Sequence, residues 1–370
     1  MNKKLIYLTY QSFPSFKANT LQTLENLNYL AKYFDIELIF PLREIESTDS
    51  IEKLKKFYEI NENIKIKGMK HKYPFGKVKV FEGILFIVSQ YFWSRKVVKN
   101  LNYSGDSIYF TRSDWIFYFL SKKNKRVIFE CHQLSRIRKY VMNKCIKHDD
   151  SKIIFLNKQL MIDSGINVNQ HGEKLKIIHN GVNSKLFQKN IIKNKNKIIF
   201  VGNLKRFGES RNLEFYISAF KNKNMPQNFN FTIIGHPDKE VMKLKNFIEL
   251  HELQDRVKVK KRLKRELAID QIQKSYIGLL INTDSNLHSV KYTSPLKYFE
   301  YMYSGLQVVA SNFLAHKELP FAKHIHFFEN GNEESFINSI KSASKSVEAP
   351  KDLESITLKK RAEEIVNFIS

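Results

Sequence analysis

The sequence predicts an α/β protein of two doubly wound, Rossmann-like domains facing a central cleft, and three observations carry the prediction. A strand, loop, helix, strand series opens the chain, the same series restarts at residue 197, and a mostly polar run over residues 188–196 separates the two. The 370 residues also exceed what one core usually organises, since single cores stop growing at roughly 250–300 residues.

Taken in order, residues 4–9 form a short apolar strand that breaks at Pro14 and Ser15. The apolar run at the start is too short for a secretory leader, so a first strand is expected there. Asn19 and Thr20 offer a helix cap, and Leu21, Leu24, Leu27, Leu30 and Ala31 recur at helical spacing. Residues 36–40 read as a buried strand ending at Pro41, with further strands at 107–110, 126–130 and 152–156. Residues 177–182 are the last strand of this half and its turn, which gives a first domain of 1–187 and a linker of 188–196. The second domain, 197–354, begins with a strand that meets Gly202. It continues with a helix at 213–220, a strand at 231–235, a helix at 241–250 and a strand at 257–259. A helix at 266–276 and strands at 278–281 and 308–311 follow, and a last helix, 358–369, sits in a closing segment of 355–370.

The chain carries a net charge of +25. Either this is drift in a sequence rich in Lys, Asn and Ile, or it serves attraction to anions such as lipid headgroups, nucleic acid or phosphorylated substrates. Lys70, Lys72, Lys77, Lys79, Arg95, Lys96 and Lys99 lie close to apolar segments of the first half. Residues 75–98 therefore read either as a core helix or as an amphipathic surface leaning on an anionic bilayer, with Phe81, Phe86, Phe92 and Trp93 as anchors. Cys131 and Cys145 give neither a disulfide framework nor metal spacing, which points to a reducing compartment. No apolar stretch approaches the roughly 18 residues of a membrane span. No nucleic-acid-binding module is present, and no Gly-x-Gly-x-x-Gly follows the first strand, which argues against a nicotinamide enzyme.

Most of the chemistry sits in Ser294-Pro295-Leu296-Lys297-Tyr298-Phe299-Glu300-Tyr301, with Gly305 beyond it. Ser294 can cap a helix, and Pro295 suits its first position, where no N–H is needed. The N–H groups and positive dipole end around residues 294–297 then make an anion site suited to a diphosphate. Glu300, about a turn and a half further on, suits both hydroxyls of a ribose, and Gly305 closes the helix.

This segment resembles the donor-binding motif of family 4 glycosyltransferases and their GT-B relatives: Ser-Pro-x-Lys-x-x-Glu-Tyr, then a small residue, Gly and an apolar strand. The resemblance implies that Ser294, Pro295, Leu296 and Lys297 hold the nucleotide diphosphate and that Glu300 binds the ribose. It departs from the family at Tyr292, where many members have a glutamate that orients the donor sugar. Asn180-Gly181-Val182 resembles the family's turn ahead of the linker, and Gly202-Asn203-Leu204 resembles its Gly-x-Leu segment. By that resemblance Arg206 and Arg211 neutralise the donor phosphates and stabilise the leaving group without a metal. Gly202, Gly235 and Arg262 complete the donor-side set, a tight turn being the alternative for the two glycines. His132, in a Glu-x-His setting, is implied to touch the donor sugar, with Glu130 as its orienting partner. Residues 14–20 resemble an acceptor-side loop of related polysaccharide enzymes and nominate Ser15, Lys17 and Asn19. His236, His288 and Lys291 are further cleft candidates.

The implied function is a GT-B glycosyltransferase, cytoplasmic or on the inner face of the cell membrane. It moves a sugar from a UDP- or GDP-sugar to a saccharide, lipid-linked acceptor in surface-polysaccharide or glycan assembly. Family resemblance further implies retention of configuration, no metal, no cofactor beyond the nucleotide-sugar, and a last helix crossing back to the first domain. Two alternatives stay open: an inverting, glucuronosyltransferase-like GT-B enzyme with a carboxylate base such as Asp114, and a basic nucleic-acid- or membrane-binding protein without catalysis.

Overall fold

The computed structural model describes residues 3–370 apart from Phe16, 72–81, 102–105, Phe207 and Ala349. The chain falls into two compact units: Met1–Ile178 with Ala362–Ser370, and His179–Arg361.

The first unit is built on a parallel sheet of β1 (Lys3–Leu8), β2 (Phe34–Leu42), β3 (Ile64–Lys70), β4 (Ile108–Thr111), β5 (Val127–Cys131), β6 (Ser151–Phe155) and β7 (Leu175–Ile177). Their order is β3-β2-β1-β4-β5-β6-β7, so the winding reverses between β1 and β4. The sequence did not mark β3, because Ile64, Ile66 and Gly68 alternate with lysines. That pattern suits an edge strand, where charge discourages further pairing. The first helix, Ala18–Leu30, opens from Lys17 with no side-chain cap, not from Asn19 and Thr20 as expected.

The helix Glu82–Lys99 corrects one expectation and sharpens another. Trp93 is fully buried, its ring 5.5 Å from that of Tyr10, so it is core and not a surface anchor. Phe86 and Phe92 are exposed together with Ile84, Ile87 and Val88; Phe81, Lys72, Lys77 and Lys79 lie outside the described residues.

The second unit repeats the plan with β8 (Lys197–Asn203), a short ribbon of β9 (Lys205–Arg206) and β10 (Glu209–Ser210), then β11 (Asn230–His236), β12 (Val257–Lys261), β13 (Ile277–Leu280), β14 (Gln307–Ser311) and β15 (Ile325–Phe328). The main sheet runs β12-β11-β8-β13-β14-β15, all parallel, and reverses between β8 and β13. Alternate residues of β8 enter different cores, Ile198 and Phe200 on one face and Ile199 on the other. Burial on both faces is what a parallel sheet covered by helices requires. Gly305, at φ 66°, ends the helix Leu296–Tyr303 in the left-handed region that favours glycine.

The unit boundary falls at Ile178 and His179, ahead of the polar run 188–196. Hydrogen bonds explain why. The Val182 N–H donates to the Ile356 carbonyl, and the Leu358 N–H donates to that of Val182. The polar run itself is held on the second unit, with Gln188 N–H on Gln273 Oε1 at 3.2 Å and Asn194 N–H on the Lys274 carbonyl at 3.0 Å. The last helix, Leu358–Ile369, begins in the second unit and ends in the first.

Candidate active site

Open α/β sheets bind ligands outside the carboxyl ends of their strands, where the strand order reverses. In the second unit the loop after β8 brings Arg206 and Arg211 to that point. Arg206 donates from Nη1 to Asn282 Oδ1 at 3.1 Å and from Nη2 to Thr293 Oγ1 at 3.2 Å. Arg211 donates from Nε to the Asn203 carbonyl at 2.7 Å, and from Nη1 to Asn282 Oδ1 at 2.6 Å and to the Ile281 carbonyl. Lys297 completes a trio. Its Nζ is buried without a hydrogen-bond partner and lies 3.9 Å from the centre of the Phe200 ring. Gly202 is favoured here by its backbone, at φ 149°, and not by crowding, since a Cβ there would make only ordinary contact with Lys297 Nζ at 3.5 Å.

The electrostatics of this trio are those of a site built for an anion. Every acceptor just named for the two guanidiniums is a neutral oxygen. Burial pushes Arg211 down to about 9, with repulsion from Arg206 adding to it, and pushes Arg206 down to about 10. Both stay charged at neutral pH. Burial, then repulsion from Arg211 and Arg206, holds the Lys297 ammonium well below its ordinary value, with Glu300 opposing. Gathering like charges away from water is costly, and an arriving dianion relieves that cost.

The helix Leu296–Tyr303 begins one residue later than the sequence suggested. Pro295 is extended (ψ 126°) and takes the cap position, so Ser294 does not cap. Ser294 Oγ is instead buried with no partner, and its carbonyl accepts from Asn180 Nδ2 at 2.5 Å. Through that bond the Asn180-Gly181-Val182 turn pins the loop entering this helix. The first N–H groups of the helix have no intrahelical acceptor, so they and the positive dipole end are placed where an anion could be received. Glu300 is no solvated surface carboxylate. It is buried, and Arg265 Nη2 holds its Oε1 at 3.1 Å. At the other end of the helix Lys193 donates to the Ser304 and Gly305 carbonyls, a cation where the helix dipole favours one.

Other residues nominated from sequence are placed differently. Gly235 is needed for packing, since a Cβ there would come within 2.5 Å of Leu204 and 2.6 Å of the Gly202 carbonyl. Arg262 is exposed beyond the edge strand β12, where its repulsion helps to lower the half-buried His236. His288, Lys291 and Tyr292 share one π-helical turn, a geometry often found at functional sites, and Tyr292 is buried. Arg265, Asn282 and His316 were missed. Each meets its partner only through the fold, and none sits in a recognisable motif.

In the first unit, the carboxyl ends of β4 and β5 gather a second polar group. Glu130 is buried and takes Arg112 on both oxygens, Nε at 3.3 Å and Nη2 at 3.4 Å. His132 Nε2 lies 2.9 Å from Glu130 Oε1, the pairing expected from the Glu-x-His spacing. Asp114, weighed as a general base, is instead clamped by Arg138 through Nε at 2.5 Å and Nη2 at 3.1 Å. Ser15 Oγ accepts the Lys17 N–H at 3.2 Å. Asn19 offers its carbonyl to Thr23 Oγ1 at 2.9 Å and is exposed, as is Lys17.

Residues 182–360 match the family described as Glycosyl transferases group 1. No curated protein matches the chain. Among solved structures the chain is similar to sucrose-phosphate synthase from Thermosynechococcus elongatus, with TM-score 0.65 and 15% identity over 100% of this chain and 95% of that one. It is similar to TarM, with TM-score 0.68 and 12% identity over 100% and 99% of the two chains. A third is Anabaena HepE in complex with UDP, with TM-score 0.63 and 13% identity over 98% and 94%.

Proposed function

Because the chain is a glycosyltransferase of the GT-B fold, with the group 1 match over its second unit, we propose that it moves a sugar from a UDP-sugar to a saccharide acceptor carried on a lipid. One observation carries the donor assignment: three cations, the half-buried Arg206, the buried Arg211 and Lys297 with its buried Nζ, meet the start of the helix that bears Glu300. The cations take the diphosphate and Glu300 takes the ribose. UDP is favoured because HepE, of the same fold, was solved with UDP and with UDP-glucose. Thermal-shift screening of UDP- and GDP-sugars tests the reading. At about 100 times Kd a ligand adds about 2.7 kcal/mol, a rise of about 5–10 °C for a unit of this size. A rise with GDP-sugars alone, or with none, overturns the choice of UDP.

Lys297 adds a proton signature. Its ammonium is depressed while the site is empty, and a bound diphosphate restores it toward the ordinary value. Between those two values UDP binding takes up a proton, so affinity falls as pH rises through that window. Calorimetry over a pH series, in two buffers of different ionisation enthalpy at each pH, reads the uptake directly. It disappears in Lys297→Met.

Retention of configuration is supported by the state of the carboxylates named above, since Asp114 and Glu130 are both clamped by arginine. The leaving diphosphate, neutralised by the trio, assists the incoming hydroxyl from the same face. NMR of the product then shows the anomeric configuration of the donor. The reaction proceeds unchanged in EDTA, because cationic side chains replace a metal at the diphosphate.

Among the described residues no helix is long and apolar enough to cross a membrane. We assign the exposed face of the helix Glu82–Lys99, with Ile84, Ile87, Val88 and Phe92 and the nearby Arg95, Lys96 and Lys99, to an anionic bilayer on the cytoplasmic side. Cations near such a surface contribute about 1 kcal/mol each. Vesicles of phosphatidylglycerol should sediment the protein, vesicles of phosphatidylcholine should not, and Ile87→Asp with Phe92→Asp should weaken the binding about tenfold or more. Equal binding to both kinds of vesicle overturns the assignment.

A further inference from the structure

We propose that His316 is a positioning residue for the donor phosphates: acting through Asn282, it fixes the acceptor that holds the Arg206 and Arg211 guanidiniums together. The inference rests on the donor site described above and names a part of it that touches no substrate.

The argument starts from one carbonyl. At the end of β14 the Ser311 carbonyl lies 2.8 Å from His316 Nδ1. A carbonyl only accepts, so Nδ1 carries the proton. His316 is fully buried, and burial with repulsion from Lys297, Arg206 and Arg211 pushes it down to about 4, against the raising effect of the Ser311 bond. The ring is therefore neutral and has one proton only, which leaves a lone pair on Nε2. That lone pair faces Asn282 Nδ2 at 3.2 Å. The amide group of Asn282 must give its NH2 to the ring and turn its Oδ1 the other way.

On that other side stand the two arginines, with Oδ1 accepting from Arg206 Nη1 at 3.1 Å and Arg211 Nη1 at 2.6 Å. Were the amide reversed, its NH2 would point at two guanidiniums that have only hydrogens to offer. Among the described residues, His316 is the side chain that meets the Asn282 amide from behind and so dictates its orientation. Like-charged arginines sharing one oxygen need that oxygen in place before the diphosphate arrives, which is the sense in which the site is preorganised. The relay spans residues far apart in sequence, from the loop after β8 to the short helix Leu314–Lys317.

The test compares UDP affinity by calorimetry in wild type, His316→Phe, His316→Gln and Arg211→Ala, with melting temperatures recorded for each. His316→Phe keeps a ring but offers no lone pair, and UDP Kd should rise about tenfold. His316→Gln, whose side-chain oxygen can accept from Asn282, should return Kd to within about threefold of wild type. A wild-type Kd in His316→Phe, whatever its melting temperature, overturns the relay, as does equal weakening by Phe and Gln. In either case a large loss in Arg211→Ala leaves the donor site standing. If Arg211→Ala also binds UDP as wild type does, the donor site itself is wrong. Should His316→Phe fail to fold, 15N NMR of histidine-labelled wild type decides. A proton on Nδ1 supports the relay, and a proton on Nε2 overturns it.

Discussion

Arg211→Ala weakens UDP binding by about 100-fold. Its guanidinium is buried, carries its charge at neutral pH, and is held by three acceptors that leave it little freedom to move. Hydrogen bonds to charged groups contribute about 1.5–3 kcal/mol each, and every 1.4 kcal/mol is tenfold in Kd, so one phosphate bond plus the lost long-range attraction reaches two decades. Part of the effect of this substitution is structural, since the Asn203 and Ile281 carbonyls lose their donor. Arg211→Lys separates the contributions: it keeps the charge, loses the fork, and should recover about half of the lost binding energy. Glu300→Ala, which removes the proposed ribose contact and the carboxylate that Arg265 holds, should cost about tenfold by the same reasoning. Calorimetry with UDP checks both. Unchanged affinity in the two variants together would mean that the nucleotide binds elsewhere.

Glu130→Ala destabilises the first unit by about 3–5 kcal/mol, because removing one member of a buried ion pair strands the other. The stranded charge is Arg112, whose guanidinium spans both Glu130 oxygens at 3.3 and 3.4 Å with only 12% of its side chain exposed. At about 2–4 °C per kcal/mol for a unit of this size, the melting transition should fall by about 10 °C. A second change, Arg112→Leu, should restore most of the loss, since an apolar pair of similar volume often matches a buried ion pair. If Glu130→Ala melts within about 2 °C of wild type, the pair is more hydrated than its burial indicates. The same substitution removes the carboxylate beside His132, so transfer rates need to be read at temperatures well below the new transition.

Local signals in the sequence were enough for the architecture and for the helix and cations that meet at the centre of the proposed donor site. Apolar strands ending at Gly202 or Gly235, and a helix bounded by Pro295 and Gly305, are each set by residues within a turn or two of one another, so a linear reading reaches them. Trp93 was left open between core and surface because an aromatic residue amid cations looks the same in one dimension whether it faces solvent or Tyr10. β3 was passed over because its lysines mask the alternation of an edge strand, and β15 with the following helix Glu333–Lys345 was passed over although Asn330-Gly331 and the cap Asn332 punctuate the turn between them. Ser294 looked like a cap, but the extended Pro295 moved the helix start beyond its reach. Arg265, Asn282 and His316 act on partners that lie elsewhere in the chain or across a turn, and pairings of that kind exist only once the strands have been laid side by side.

Ala362–Ser370 belongs to the first unit, and there Lys152 Nζ and Arg126 Nη2 bind the terminal carbonyls of its helix, the former at 2.6 Å to Phe368. A ribosome makes this piece only after the whole of His179–Arg361. At about 5–20 residues per second, the earlier-made sheet waits on the order of ten seconds or more for its closing segment. During translation the older half is thus the incomplete one, with two cations awaiting carbonyls not yet synthesised, and a chaperone that attends the nascent chain should dwell longest there.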